Sequence, residues 1–113
     1  MRQILLDVEA LGLGQRTIYA VETKDDQPVV YNVGLLLQGG YLEGMTIGGV
    51  GTSVGYIVRS LTWEGHDLLD SIRDQGVWRE TKEKLRKVGG NVSIAVMMEV
   101  AKDVARGFLL GGD

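Results

Sequence analysis

Glycine residues divide this sequence into short segments, and their spacing is the feature that most limits how the chain can fold. Of the 113 residues, 17 are glycine, and many of them stand between stretches with a regular hydrophobic period. Glycine is favoured in turns and at helix ends because it has no Cβ. The chain is therefore predicted to form several short helices and strands joined by glycine-containing turns.

The segments between the glycines predict an alternation of helices and strands. Helical spacing of apolar residues predicts helices over 2–11 and 28–38, and β-branched or aromatic runs predict strands over 17–23, 41–47 and 56–62. The glycine-rich loop 48–55 joins the last two strands. Three further helices are predicted: one capped by Thr62 and broken at Gly76, one over about 77–88, and one over about 92–109.

This order predicts an α+β fold, specifically a degenerate winged helix. The order helix, strand, helix, strand, loop, strand is that of a winged helix lacking one helix before the candidate recognition helix 28–38. The loop 48–55 would then be the wing. We expect residues 1–75 to form the winged-helix-like domain and residues 76–113 to form two added helices, a C-terminal extension of the same structural unit.

Composition excludes several classes of site. The absence of cysteine excludes disulfides and thiolate metal sites, and one histidine cannot build a histidine-rich metal centre. A net charge of −3 argues against nucleic-acid binding by bulk electrostatics. The sequence has neither a secretory leader pattern nor an apolar stretch long enough to span a membrane. We expect a cytoplasmic protein without a cofactor.

Two sequence blocks carry a family resemblance. LTWEGHDLLDSIRDQGVW at 61–78, with VYNVGLLLQGGYLEG upstream at 30–44, resembles a family of short bacterial and prophage proteins of unknown function. The resemblance covers nearly the whole chain. It implies a winged-helix-like fold, frequent occurrence in phages and mobile elements, and no established activity. This chain departs from the family pattern in lacking a longer basic N-terminal stretch and in having Asn32 where relatives tend to have histidine.

The block at 61–78 contains reactive side chains but is predicted to be structural. His66 lies four residues before Asp70, so the two share one side of a helix, where they would resemble an acid–base pair. Neither a nucleophile nor enough metal ligands accompany them. We therefore predict no catalytic residue and no metal site, with His66 bonded to Asp70 or packed on a tryptophan. Trp63 and Trp78 are predicted to lie in the core or between subdomains.

The outer face of the helix at 28–38 carries no cation, which favours a protein partner over DNA. Tyr31 and Leu35 suit a protein surface better than a DNA groove. The candidate partner-binding residues, on the helix and in the glycine loop, are Tyr31, Asn32, Leu35, Gln38, Val50, Thr52 and Ser53. Packing of this face against the C-terminal helices is the structural alternative. If the chain instead binds DNA, the candidate phosphate contacts are Arg2, Arg16, Lys24 and Arg59.

The last predicted helix has an apolar stripe wide enough for two neighbours. It is expected to pack on the domain and to pair with its copy in a homodimer through Ile94, Met97, Met98, Ala101, Val104 and Phe108. The leading hypothesis is a non-catalytic phage or prophage protein that acts through protein–protein contacts, for example as an inhibitor of a host defence complex. The alternative is a dimeric winged-helix transcriptional regulator that binds DNA.

Overall fold

The computed structural model describes residues 1–48, 55–89 and 92–110 and confirms a mixed α+β fold. It contains two compact units, Met1–His66 and Asp67–Asp113. The order of elements is α1 (Arg2–Glu9), β1 (Thr17–Ala20), α2 (Gln27–Gln38), β2 (Leu42–Ile47), β3 (Gly55–Leu61), α3 (Trp63–Ile72), α4 (Gln75–Val88) and α5 (Ile94–Leu110). A 3-10 turn at Lys24–Asp26 precedes α2.

The first unit is built on a three-stranded antiparallel sheet in the order β1-β3-β2. The register pairs Ile18 with Ile57 in β1 and β3, and Met45 with the same Ile57 in β2 and β3. A bulge between Glu43 and Gly44 shifts the pairing of β2. Helix, strand, helix, strand and strand follow one another here, which is compatible with a winged-helix-like arrangement. Residues 49–54 of the predicted wing, 48–55, lie outside the described residues.

One face of the sheet is covered by α1 and α2, and the core of the first unit lies there. Val58 of β3, Leu5 of α1, and Val33 and Leu36 of α2 are fully buried. Side chains alternate between the two faces of a strand, so Tyr56 shares the face of Val58, and Ile57 points the other way. The core therefore forms between two short helices and one side of the sheet.

The second unit contains most of α3 and the two following helices. Leu68, Leu69 and Ile72 are fully buried in α3, and Val77 and Thr81 are buried in α4. Helices α4 and α5 pack against each other. The Lys102 ammonium of α5 lies 3.2 Å from a carboxylate oxygen of Asp67 in α3, which links the first and last helices of this unit.

The predicted helix and strand bounds hold within a few residues, with two corrections. The strand predicted over 17–23 ends at Ala20, because the chain turns there toward the 3-10 turn before α2. The break predicted at Gly76 is wrong, since Gly76 lies in the first turn of α4. Asp74 is the residue that begins this helix, and its side chain accepts a hydrogen bond from the Val77 N–H at 3.0 Å.

Candidate functional site

Helix α2 is preceded by a 3-10 turn that the Asp26 carboxylate stabilises, and it ends at two glycines. One carboxylate oxygen of Asp26 accepts hydrogen bonds from the backbone N–H groups of Thr23 at 2.9 Å and Glu22 at 3.0 Å. Because these bonds favour the ionised form, they hold the pKa of Asp26 below its ordinary value. Beyond Gln38 the chain leaves the helix through Gly39 and Gly40, and Gly40 has φ +80°.

The buried side of α2 leaves a second side that faces outward. Val30, Val33 and Leu36 are buried, whereas Tyr31 is 66% exposed. Val29 is exposed as well. The exposed aromatic ring of Tyr31 begins the candidate site.

A groove of about 380 Å³ lies between the outward side of α2 and the sheet. Gly34 lets α2 lie close to Tyr56 of β3, because a Cβ at this position would lie 2.6 Å from the Tyr56 hydroxyl oxygen. This volume is within the range of sites that hold one or two side chains or a small ligand. We call this cavity the α2 groove, and it is lined by Tyr31, Gly34, Leu35, Leu37, Gln38, Thr46 and Tyr56.

The α2 groove opens beside a strand edge that has no backbone partner among residues 1–48, 55–89 and 92–110. Strand β2 pairs only with β3, so its other edge is the outer edge of the sheet. An edge strand presents unpaired N–H and C=O groups to which another chain can add. Met45 of β2 is 54% exposed, and β2 carries no Lys, Arg or Pro that would discourage such pairing.

The sheet face opposite the helices carries an exposed apolar row. Ile18, Ile57 and Met45 lie side by side across the three strands. Ile18 is 59% exposed, and Ile57 is partly exposed. A row of this kind is rarely left in water without a use, and it is continuous through Met45 with the free edge of β2.

The predicted partner-binding residues are brought together only in part. Tyr31, Leu35 and Gln38 all line the α2 groove, while Asn32 does not. Val50, Thr52 and Ser53 lie outside the described residues. Sequence reasoning missed Thr46 and Tyr56, since their position depends on the strand register. A glycine in mid-helix, Gly34, was the signal in the sequence that a bulky group lies against α2.

The candidate phosphate contacts of the DNA alternative lie in different elements of the first unit. Lys24 is exposed in the 3-10 turn and Arg2 lies in α1. Arg16 and Arg59 meet at a different cavity of the first unit. No lysine or arginine occurs in Gln27–Gln38 itself, so this helix offers no cation to a DNA backbone.

His66 and the carboxylates around it do not form an acid–base cluster in the structure. Asp70 pairs with Arg73 at 3.1 Å, Asp67 pairs with Lys102, and Asp74 caps α4. The expected bond between His66 and Asp70 is absent among the described side chains, and His66 is exposed.

The expectation of a core position is wrong for Trp63, which is 88% exposed. Trp78 is partly buried, with the Lys82 ammonium 5.4 Å above its ring.

The predicted packing stripe of α5 is partly buried within the second unit. Met97, Ala101 and Val104 are buried, Ile94 and Met98 are partly exposed, and Phe108 is exposed. Phe108 lies beside Gly76, where a Cβ would be 3.3 Å from its ring. The stripe thus packs inside the chain, and the homodimer remains a prediction.

Two other kinds of feature are absent from the described part of the chain. Within 1–48, 55–89 and 92–110 there is no group of three or more histidine, aspartate or glutamate side chains placed to hold a metal ion. In the same part of the chain, no helix is long and apolar enough to cross a membrane.

Comparison with known proteins shows the family of this chain. Residues 1–91 match the family model described as "Hypothetical protein (DUF2513)". The chain is also similar to an uncharacterized protein of Haemophilus influenzae (strain ATCC 51907 / DSM 11121 / KW20 / Rd), at 31% identity over 106 residues, which is 92% of this chain and 89% of the relative. No solved structure matches. The chain belongs to the DUF2513 family, whose function is unknown.

Proposed function

We propose that this protein is a non-catalytic protein-binding module whose partner adds an extended segment to the free edge of β2. The observation that carries the proposal is the placement of the α2 groove beside that edge. Backbone hydrogen bonds to β2 would provide affinity, and side chains of the partner would enter the groove. Tyr31 and Tyr56 supply the aromatic contact area that is typical of such interfaces.

The chemistry of this surface fits a protein better than it fits DNA. The lining of the groove has no charged side chain, and the net charge of the chain is −3. Phosphate attraction would require lysine or arginine beside the contact surface. The occupant that we propose is therefore a partner segment with alternating apolar side chains, which can reach the groove with every second residue.

Site-specific photo-crosslinking in a bacterial host tests this proposal. A benzophenone amino acid is placed at Thr46 in the groove. The control position is Glu80 of α4, which is exposed and belongs to the second unit. We expect a discrete crosslinked partner from position 46 and none from position 80. Identical products from both positions, or none from position 46, would contradict the proposal.

A matched pair of variants then tests the groove with the partner so identified. Leu35→Asp puts a charge in the groove and is expected to weaken binding by about tenfold or more, since the apolar contact is lost. Val29→Asp makes the same chemical change on the exposed part of α2 outside the groove and is expected to leave binding unchanged. Equal losses from both variants would show that the groove is not the contact.

The DNA-binding alternative is tested separately by a gel-shift series. Binding to random duplex at low salt, falling steeply as salt rises, would support a winged-helix DNA-binding regulator. We expect no shift at low salt.

A finer proposal follows from the family resemblance: a phage or prophage protein that regulates or inhibits a host complex. Crosslinking only to proteins unrelated to any host complex would contradict that finer proposal.

A further inference from the structure

A second cavity of the first unit, of about 470 Å³, combines an apolar wall with cationic side chains. It lies where β3 extends past the start of β1, so its floor is the part of β3 that β1 does not cover. Leu11, Leu13 and Leu61 contribute apolar surface, whereas Arg16, Arg59 and His66 contribute nitrogen donors. This cavity shares none of its lining residues with the α2 groove.

The strand register brings Arg16 and Arg59 to the same end of the β1–β3 pair. Thr17 pairs with Val58 and Ile18 with Ile57, so the next positions along the two chains are Arg16 and Arg59. Like charges directly opposite each other across two strands destabilise a sheet. An arrangement of this kind is stabilised when an anion lies between the two guanidinium groups, each of which can donate two parallel hydrogen bonds.

No side chain of the described residues supplies that anion. Neither Arg16 nor Arg59 has an ion pair or a side-chain hydrogen bond there. The acid that lines the cavity is Glu9, which forms an interaction of its own. The Ser60 hydroxyl donates to Glu43 at 2.9 Å. Two exposed arginines therefore line one cavity beside an apolar wall, and neither forms an ion pair among the described residues.

A turn closed by two hydrogen bonds between Gly12 and Gln15 forms another part of the cavity lining. The Gly12 carbonyl accepts from the Gln15 N–H at 3.0 Å, and the Gln15 side-chain oxygen accepts from the Gly12 N–H at 2.8 Å. Gly14 has φ +79°, the left-handed conformation that a type II turn requires at its third position. This turn presents Leu13 fully exposed at the mouth of the cavity, where a ligand would cover it.

We propose that this cavity binds a small organic anion, in which a carboxylate or phosphate group is attached to an apolar group. The anionic group lies between Arg16 and Arg59, and the apolar group lies against Leu13 and the other leucines. The volume of the cavity matches that of small-ligand sites. This site is independent of the partner proposed for the α2 groove.

NMR titration of the full ¹⁵N-labelled chain tests the proposal with defined probes. The probes are phenyl phosphate, 4-phenylbutyrate, the uncharged 4-phenylbutanamide and inorganic phosphate. We expect saturable shifts of the Gly12, Gly14 and Ser60 amide signals with at least one of the two phenyl anions. We also expect the uncharged amide and inorganic phosphate each to bind about tenfold more weakly, because each lacks one of the two recognised groups.

The comparison of probes decides each half of the proposal. If the uncharged amide bound as tightly as the phenyl anions, the proposed recognition of an anionic group would be overturned. If inorganic phosphate bound as tightly as the phenyl anions, the proposed recognition of an apolar group would be overturned. The absence of any saturable shift with the phenyl anions would overturn the site itself. The ratio of the affinities for phenyl phosphate and 4-phenylbutyrate then tells whether the site takes phosphates or carboxylates.

Three variants locate the binding. Arg16→Gln and Arg59→Gln are each expected to weaken the better phenyl anion about tenfold, because a charge-assisted hydrogen bond is lost. Arg79→Gln, on the exposed surface of α4, is the matched control and should have no effect. Leu13→Ser should weaken the phenyl anion but not inorganic phosphate. Unchanged affinity in both cavity arginine variants, with spectra that show a folded chain, would overturn the proposal.

Discussion

At Gly65 the backbone of α3 lies directly against the carbonyl oxygen of Tyr41, and a Cβ at this position would overlap that oxygen. Gly44 in the bulge of β2 stands in the same relation to the carbonyl oxygen of Ile57. Both obstacles are backbone atoms, which cannot turn aside as a flexible side chain can. Single glycines therefore fix how closely α3 and the strands approach one another in the first unit.

We predict that Gly65→Ala destabilises the protein by about 1–3 kcal/mol or more, because overpacking forces the backbone to shift. The matched control is Gly107→Ala in α5, where nothing lies within 4 Å of the added Cβ. That control should stabilise the chain by about 0.5–1 kcal/mol, since alanine is the better helix former. Urea unfolding measures both changes. If the Gly65→Ala variant were as stable as the parent chain, α3 would not lie so close to Tyr41.

Tyr19 of β1 gives the stability a dependence on alkaline pH. Partial burial and the negative charge of Asp7 both raise the pKa of Tyr19 above its ordinary value of 10.0. A raised pKa means that the folded chain keeps the phenol proton after the unfolded chain has lost it. The contribution of Tyr19 is therefore fully present below pH 10.0 and is lost as the pH rises toward the pKa of the folded state.

Accordingly, the unfolding free energy of the Tyr19→Phe variant should fall less steeply than that of the parent chain above pH 10.0. Asp7→Asn, which removes only the second cause of the shift, should give an intermediate slope. Urea unfolding at several pH values between neutral and alkaline measures the three slopes. Parallel curves for all three chains would show that Tyr19 is not shielded in the folded state.

On the scale of elements, Thr62 joins the end of the sheet to the start of α3. Its hydroxyl accepts from the Gly65 N–H at 3.0 Å and donates to the Gly40 carbonyl at 2.5 Å. Its own N–H donates to the Tyr41 carbonyl at 3.2 Å. One side chain therefore caps α3 and also fastens the cap to the turn that follows α2.

Thr62→Val keeps the shape of this side chain but removes both hydroxyl bonds, and should cost about 1–2 kcal/mol of stability. Thr62→Ser, which keeps the hydroxyl, should recover most of that loss. Thermal and urea unfolding of the two variants measure the difference. If the valine and serine variants were equally stable, the hydroxyl bonds would contribute nothing to the cap.

The helices and strands were largely predictable because each depends on local signals. The Thr62 cap and the buried stripe of α3 both follow from residue type and helical period. The sequence misplaces the start of α4, because Gly76 suggests a break although Asp74 is a better helix-start residue. A glycine within the first turn of a helix is tolerated when a cap precedes it.

Trp63 shows an error that the helical period itself would have prevented. At 100° per residue, Trp63 lies opposite the direction of Leu68, Leu69 and Ile72, and on the side of Asp70. Its large apolar ring suggested burial, but its position on the helix decided the outcome. Residue type alone was the weaker guide.

Only those residues of the candidate sites that share one helix could be predicted to lie together. Tyr31, Leu35 and Gln38 follow from the helical wheel of α2, which needs no tertiary information. Tyr56 joins them only after β3 takes its place in the middle of the sheet, between strands that precede it in the sequence. The meeting of Arg16 with Arg59 likewise depends on the register of β1 with β3. Long-range pairing of this kind leaves no local signal in the sequence.

For the molecule as a whole, the two units are connected through a continuous helix. The division between them falls after His66, within α3. The sequence predicts a winged-helix-like domain over residues 1–75 and two added helices over 76–113 as an extension of the same structural unit. A division into compact units depends on long-range contacts, which have no local signal in the sequence.

Self-association is the property of the whole chain that the sequence predicted and that solution measurements can test. Val96 of α5, which is not among the residues predicted for the homodimer, is exposed and lies one turn from Val100. We expect a concentration-dependent dimer in sedimentation equilibrium, weakened by Val96→Lys but not by Ala95→Lys at the adjacent exposed position. A monomer at all concentrations would contradict the prediction.

The exposure of Trp63 has an optical consequence. Its indole stands in water one helical turn before His66, and both residues line a small depression at the start of α3. Imidazole groups near an indole change its fluorescence yield, and His66 also borders the cavity of Arg16 and Arg59. The chain therefore contains its own fluorophore beside that cavity, so its emission can report occupancy there without any attached label.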